Sequence, residues 1–323
     1  MAEIVEVEDR VFDYYLRLPS DIRMKVIDQM EPNDRCRLTR CSKQCNKEAK
    51  ASKNYIHKLG VRFYADSLKI FVIYQKLEDD VNLQHGFRLQ FYRRAEKKFL
   101  KYENLDNQVL WTIELDNSTD LVRYGLEEFK NYLHCYQDTI KVLEIGESWI
   151  TNHGINLEDL DFKIKSLKNL ESLTLSTPID ASQIFSKLEH PLKYLSVCRL
   201  PKIMQYEQIY QVQDTLRCWG VELDNEQFLR LSAKEITMKM GRLTEKDVFK
   251  FVRSWQNGTI GKKIKSCSWH LEGSNFDHQK LLKLLRYRNP DSTEDLQIEI
   301  KHYKKWGKSA KLQISDWELE FSI

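Results

Sequence analysis

The N-terminal part of the chain spaces its apolar residues as a helix does. Leu18-Pro19-Ser20-Asp21 is an extended dipeptide followed by capping side chains, which predicts that a helix begins there. The apolar positions that follow share one face of this helix: Ile22, Val26, Ile27 and Met30. A break at 31–34 precedes two further helical segments. We therefore predict three short helices over 18–54, too few to bury a core alone, so this face needs a partner.

From residue 110 onward an apolar-x-x-apolar-x-apolar pattern recurs, and each copy is typical of one strand in a repeat protein. The copies are Leu110-Ile113-Leu115, Ile140-Leu143-Ile145, Leu170-Leu173-Leu175, Leu192-Leu195-Val197, Leu216-Trp219-Val221, Ala233-Ile236-Met238 and Ile264-Cys267-Trp269. Helix-compatible stretches lie between them, at 121–136, 156–168, 226–231 and 244–255.

This alternation predicts the fold class α/β, with a degenerate leucine-rich-repeat-like α/β solenoid over 110–323 after the N-terminal helices. The inward-facing middle positions are expected to stack in neighbouring parallel strands: Leu143, Leu173, Leu195, Trp219 and Ile236. The copies are unevenly spaced and lack the usual turn residues. A domain of unrelated strands and helices is therefore the alternative.

Two other regions carry weaker signals. Residues 1–17 are expected to be an N-terminal tail. Residues 55–109 are charged and aromatic, and we expect them to connect the helical domain to the solenoid. Within this region only Phe87, Leu89 and Phe91 alternate as a strand would.

Composition narrows the class of protein. Of the 323 residues, 41% are hydrophobic and 31% are charged, with a formal net charge of +3, so nucleic-acid binding is not expected. There is no apolar run of membrane-spanning length, and the N-terminus is acidic, so neither a membrane span nor a signal peptide is expected. Seven cysteines without paired spacing are typical of a reducing compartment. These features predict an intracellular protein of the cytoplasm and/or nucleus.

No catalytic motif accompanies these elements. The sequence has no glycine-rich phosphate loop, no metalloprotease or nucleophile-elbow motif and no paired-cysteine metal site. Cys36, Cys41 and Cys45 are better explained as core thiols than as zinc ligands, because no second cluster completes a set of four. We predict a protein that is not an enzyme, with no catalytic residue, cofactor or metal.

The N-terminal helices resemble the F-box, a family pattern of Leu-Pro, an apolar helix, Pro-x-Asp and a later Ser-Lys. Here the segment is LPSDIRMKVIDQMEPNDRCRLTRCSKQC. The resemblance implies an adaptor-binding surface on these residues: Leu18, Pro19, Ile22, Val26, Ile27, Met30, Pro32, Leu38, Cys41 and Ser42. It implies a Skp-type adaptor as partner and, through it, a cullin scaffold. The alternative is a helical cap on the following domain.

A second resemblance concerns residues 216–323, which are similar to the type-two F-box-associated domain of nematode F-box proteins. It rests on LDNEQFLRLSAKEITMKMGRLTEKDVFKFVRSWQNG and the closing IEIKHYKKWGKSAKLQISDWELEFSI. Together the resemblances imply the substrate-recognition subunit of an SCF-type ubiquitin ligase with an unknown protein target. Trp306, in a basic loop, is the candidate target-binding residue. A repeat scaffold without ligase association is the rival interpretation.

Overall fold

The computed structural model describes residues 15, 17–51, 55–65, 67–75, 84–147, 157, 161–200, 202–221, 223–239, 244–259, 263–271, 275–287, 296–301, 309–315 and 318–323. The chain divides into two compact units. The first comprises Met1–Val61, Asp66–Lys141 and Lys163–Lys165, and the second comprises Arg62–Ala65, Val142–Phe162 and Ser166–Ile323.

Three short helices open the first unit, as predicted. They are α1 (Ser20–Gln29), α2 (Pro32–Cys41) and α3 (Lys43–Ala51). Extended backbone at Pro19 and Glu31 precedes the first two, and Pro32 occupies the first turn of α2, where its missing N–H costs nothing. Helix α1 therefore begins two residues before Ile22.

A sheet follows where the sequence predicted only a connection. Its strands run β1 (Tyr55–Tyr64), β2 (Ser67–Gln75), β3 (Gln84–Arg94), β4 (Lys97–Asn104) and β5 (Val109–Leu115), in that order across the sheet. From β2 to β5 each strand pairs antiparallel with the next. Residues 55–109 thus form most of a sheet. The sheet was not predicted because charged side chains on the solvent face obscure the alternation of the apolar residues.

The predicted first repeat, Leu110-Ile113-Leu115, belongs to this sheet and not to a parallel ladder. It lies in β5, which is antiparallel to β4, and Leu110 and Ile113 are about half exposed. The prediction that this segment is the first copy of the parallel repeat was therefore wrong. An edge strand has a neighbour on one side only, so its apolar residues are only partly covered.

Helix α4 (Leu121–Tyr136) covers one face of the sheet and has the predicted limits. The Asp120 carboxylate caps it by accepting hydrogen bonds from the N–H groups of Val122 and Arg123. Gly125 allows a close approach, since a Cβ there would lie 2.7 Å from a methyl group of Leu68. Its buried face carries Leu126, Phe129, Tyr132, Leu133 and Tyr136.

The second unit contains the parallel strands. Six are parallel: β6 (Val142–Glu147), β7 (Ser172–Ser176), β8 (Tyr194–Cys198), β9 (Thr215–Trp219), β10 (Glu235–Lys239) and β11 (Ser266–His270). Antiparallel strands then extend the sheet beyond β11 in the order β14 (Glu318–Ser322), β13 (Ser309–Ile314), β12 (Leu296–Lys301). The C-terminal strands thus end the parallel succession.

One row of buried residues runs across the parallel strands in register. It comprises Leu143, Leu173, Leu195, Leu216, Ile236 and Cys267. The prediction of Trp219 for this row was wrong. Trp219 pairs with Cys198 and its ring centroid lies 4.6 Å from that of His270, on the face opposite the row. The copy of the pattern that begins at Leu216 was placed three residues too late.

Helical segments alternate with these strands. They are α5 (Ser182–Phe185), α6 (Asn225–Arg230), α7 (Glu245–Gln256) and α8 (His278–Leu285), with 3-10 turns at Ile203–Gln205 and Glu207–Gln211. Helix α7 begins with the predicted cap at Thr244, and Gly258 follows its end with a φ of 69°. The helix expected over 156–168 is wrong for 161–168, which has no helix.

Candidate protein-binding site

The outer face of α1 carries a stripe of exposed apolar side chains. Leu18, Ile22 and Val26 are 37%, 38% and 38% exposed. Ile22 and Val26 are four residues apart on one side of α1, and Leu18 lies just before the helix begins. Pro19 is also exposed. We call Leu18, Ile22 and Val26 the apolar stripe. Exposed, adjacent apolar side chains of this kind are typical of a protein-binding surface.

The inner face of α1 packs into a small core instead. Ile27, Leu38, Cys45 and Ala49 are buried together, and Tyr15, Met24 and Met30 pack around them. Ile27 and Leu38 were expected to be partly exposed on the adaptor-binding surface, and that expectation of exposure was wrong. Their side chains hold the three helices together and position the apolar stripe from behind.

An ion pair joins α1 to α3 beside this core. The Arg23 guanidinium donates to the Glu48 carboxylate at 2.6 and 3.0 Å, and both side chains are nearly buried. Gln44 donates a further hydrogen bond to Glu48 at 2.5 Å. The hydrogen bond from Arg23 is the main cause that lowers the pKa of Glu48. The carboxylate is therefore charged at neutral pH, and the ion pair with Arg23 is formed.

The C-terminal end of α1 is held by a buried arginine. Arg35 donates from Nη2 to the carbonyl oxygens of Ile27 and Met30, at 2.7 and 3.1 Å. The Ile27 carbonyl also accepts a hydrogen bond from the Met30 N–H at 3.1 Å, so the guanidinium reinforces the end of the helix. Burial lowers the pKa of Arg35. Helix α1 is thereby fixed to α2.

Helix α2 also packs onto the rest of its own unit. The Tyr132 hydroxyl donates to Asn33 Oδ1 at 2.6 Å, and the Tyr136 hydroxyl donates to the Pro32 carbonyl at 3.1 Å. Arg40 and Glu128 form a two-point ion pair at 3.0 and 3.2 Å. The buried Pro32 was predicted as an adaptor contact, but α4 covers it. The three helices therefore form a cap on this unit in addition to exposing the apolar stripe.

The cysteines of these helices have separate surroundings. The Cys135 thiol donates a hydrogen bond to the buried Cys36 Sγ at 3.7 Å. This hydrogen bond, together with burial, raises the pKa of the Cys36 thiol. Cys41 is exposed at the end of α2, whereas Cys45 lies in the core of the three helices. Ser42, predicted as a contact, accepts a hydrogen bond from the Cys45 N–H and caps α3. Among the described residues no cluster of ligands could hold a metal ion.

The predicted contacts thus separate into three groups. Those exposed are Leu18, Pro19, Ile22, Val26 and Cys41; those half-buried are Met30 and Ser42; those buried are Ile27, Pro32 and Leu38. Trp306 lies outside the described residues. Arg23, Glu48 and Arg35 were missed, because ionic residues in a helical pattern are usually solvated and no local signal marks a buried pair.

Comparison with known families agrees with this geometry. Residues 15–57 match the model of the F-box domain. No curated protein and no solved structure gave a match to the chain. The F-box suggests adaptor binding in an SCF-type ubiquitin ligase, and F-box proteins are in general non-enzymatic substrate adaptors. No helix in the described part of the chain has the length and apolar character needed to cross a bilayer.

Proposed function

We propose that this protein is the substrate receptor of an SCF-type ubiquitin ligase. In this proposal the apolar stripe binds a Skp-type adaptor, a cullin scaffold binds the adaptor, and other subunits perform the ubiquitin chemistry. The observation that best supports this proposal is that the two faces of α1, within the F-box, have different surroundings. One face of α1 is committed to its own core, while Leu18, Ile22 and Val26 remain exposed.

The test is co-purification of a Skp-type adaptor with the full chain carrying Val26→Asp. A carboxylate buried without a partner in an apolar interface costs several kcal/mol, so capture should fall at least a hundredfold. Val122→Asp is the matched control, because Val122 is 39% exposed on α4, whereas Val26 is 38% exposed on α1. Ile27→Asp is unsuitable, since it would disrupt the core of the three helices.

Unchanged capture by Val26→Asp and by Ile22→Asp would refute adaptor docking on the stripe. It would favour the second candidate, a repeat scaffold without ligase association. The observation behind that candidate is the attachment of α2 to α4 through Asn33 and Pro32, which a purely structural cap would also need.

We further propose that the second unit holds the protein target. The succession of parallel strands β6 to β11 supports a leucine-rich-repeat-like solenoid, which offers a long open surface to proteins. The resemblance of 216–323 to a type-two F-box-associated domain supports the same assignment, with Trp306 as an anchor. Trp255 is excluded as an anchor because it is buried against Phe321. A cytoplasmic and/or nuclear location completes the proposal.

A further inference from the structure

A groove lies in the first unit on the face of the sheet that α4 covers. Its volume is about 280 Å³, just below the range of about 300–1,000 Å³ that is usual for small-molecule sites, so it suits one or two amino-acid side chains. Helices α2 and α4 and strands β3, β4 and β5 contribute to it. The lining residues are Asn33, Arg37, Arg40, Leu89, Leu100, Trp111, Tyr124 and Glu128.

The apolar floor of the groove continues onto the edge strand β5. Tyr102 stacks on Trp111 with ring centroids 5.2 Å apart, and Leu100 pairs with Ile113 on the same face. Ile113 is 50% exposed, and Val109 and Leu110 are exposed to a similar extent. No other strand in the described parts of the chain pairs with the outer edge of β5. Its backbone groups can therefore accept an added strand.

The charges around the groove are unbalanced. Arg40 is neutralised by its two-point contact with Glu128. Arg37 is exposed, and its guanidinium has no hydrogen-bond or ion-pair partner among the residues that the structure describes. An arginine beside an apolar floor suits a carboxylate that is carried next to an apolar side chain.

We propose that this groove and the edge of β5 bind an extended acidic and apolar segment of another protein. The segment adds a strand to β5, places an apolar side chain against Trp111 and Ile113, and sets a carboxylate on Arg37. The bound protein is identified by its chemistry alone, and this contact is additional to the target contact proposed for the second unit.

A second copy of this chain fits the groove less well. If two β5 strands paired, each would bring one acidic residue, Glu114, to the other. Glu114 pairs with Phe99, on the face opposite Ile113, and already contacts Lys97 at 2.9 Å. Self-pairing would therefore leave Arg37 without a carboxylate, which favours a different, acidic partner.

The experiment selects a phage-displayed library of random nine-residue peptides on the full chain. Enriched peptides should carry Asp or Glu beside large apolar residues at alternating positions. Synthetic copies should bind Arg37→Glu and Ile113→Lys at least tenfold more weakly than the unmodified chain, by fluorescence anisotropy. The matched controls Arg123→Glu and Val122→Lys, exposed on α4 outside the groove, should stay within twofold.

A charge exchange makes the test specific. A peptide whose acidic residue is replaced by Lys should bind Arg37→Glu better than it binds the unmodified chain. Ile113 is half exposed on an edge strand, so the Ile113→Lys variant should fold. If that variant does not fold, peptide binding by Arg37→Glu is the measurement that tests the proposal.

Several outcomes would overturn the proposal. These are no enrichment, enriched peptides without acids, equal binding to the groove variants, or displacement of the peptide by excess Skp-type adaptor. Dimerisation that Ile113→Lys abolishes in sedimentation equilibrium would show that a second copy is the occupant. Because Arg37→Glu and Ile113→Lys leave the apolar stripe intact, both should retain adaptor capture, so failure of the groove and failure of adaptor docking are separable.

Discussion

Two neighbouring residues of α1, Ile27 and Val26, should lose very different amounts of stability on truncation. Ile27 is fully buried among Leu38, Cys45 and Ala49, so Ile27→Ala removes three buried carbon atoms worth about 0.8 kcal/mol each. The remaining cavity raises the total cost to about 3 to 4 kcal/mol. Val26→Ala removes two carbons from a side chain that is 38% exposed, a loss of about 1 kcal/mol. The better helix propensity of alanine offsets about half of this loss.

Hydrogen exchange of the amides of α1 to α3, followed by mass spectrometry on the full chain, measures this difference locally. That choice matters because a chain of two compact units need not unfold in a single transition. Exchange in the three helices should accelerate by about two to three orders of magnitude for Ile27→Ala and only a few-fold for Val26→Ala. Val26→Ala should lower the affinity for the adaptor directly, because Val26 belongs to the apolar stripe. Equal acceleration in both variants would refute the assignment of the two faces.

Two further predictions concern stability. Leu173→Ala should cost about 2 to 5 kcal/mol of stability, because Leu173 is fully buried between Leu143 and Leu195. Glu171→Ala removes only a surface ion pair with Lys193, worth about 0 to 1 kcal/mol. Similar midpoints of the two variants in urea unfolding, followed by fluorescence, would contradict this difference. Because the pKa of Glu48 is lowered, the stability that this carboxylate contributes is fully present above the ordinary carboxyl pKa and is lost as pH falls through the lowered value. Hydrogen exchange in α1 should therefore differ most between the unmodified chain and Glu48→Gln at neutral pH. A difference that grows on acidification would contradict a stabilising ion pair between Arg23 and Glu48.

Regular local patterns were enough to predict much of the fold. The three N-terminal helices were predicted from helical spacing and the break at 31–34, although α1 and α2 have no side-chain cap in the structure. Helices α4 and α7 combine helical spacing with capping residues. Leu143, Leu173, Leu195 and Ile236 were also placed in one row correctly. Trp219 was misplaced because Gln213 stands where the repeat pattern expects an apolar residue, so Leu216 was mistaken for its first position.

The remaining features depend on contacts between distant parts of the sequence. Spacing places Val26 and Ile27 on the same broad helical face, yet only the position of Leu38 and Cys45 decides which one is buried. The groove draws its residues from five separate elements, so no local pattern can reveal it. Strands β1, β2 and β4 were missed for a related reason. Their alternation is interrupted by charges that become compatible with a sheet only when one face is covered by α4.

Helix α2 belongs to two cores at once, and this fixes the orientation of the F-box helices relative to α4. One side of α2 contributes Leu38 to the core of the three helices, and another is tied through Asn33 to Tyr132 of α4. Because Asn33 and Pro32 of α2 bond to Tyr132 and Tyr136, removing residues 1–50 would expose part of the buried face of α4 rather than release an independent module. A protein held at the edge of β5 would therefore keep one orientation toward a bound adaptor, and only those of its lysines that face the ubiquitin-carrying enzyme would be modified.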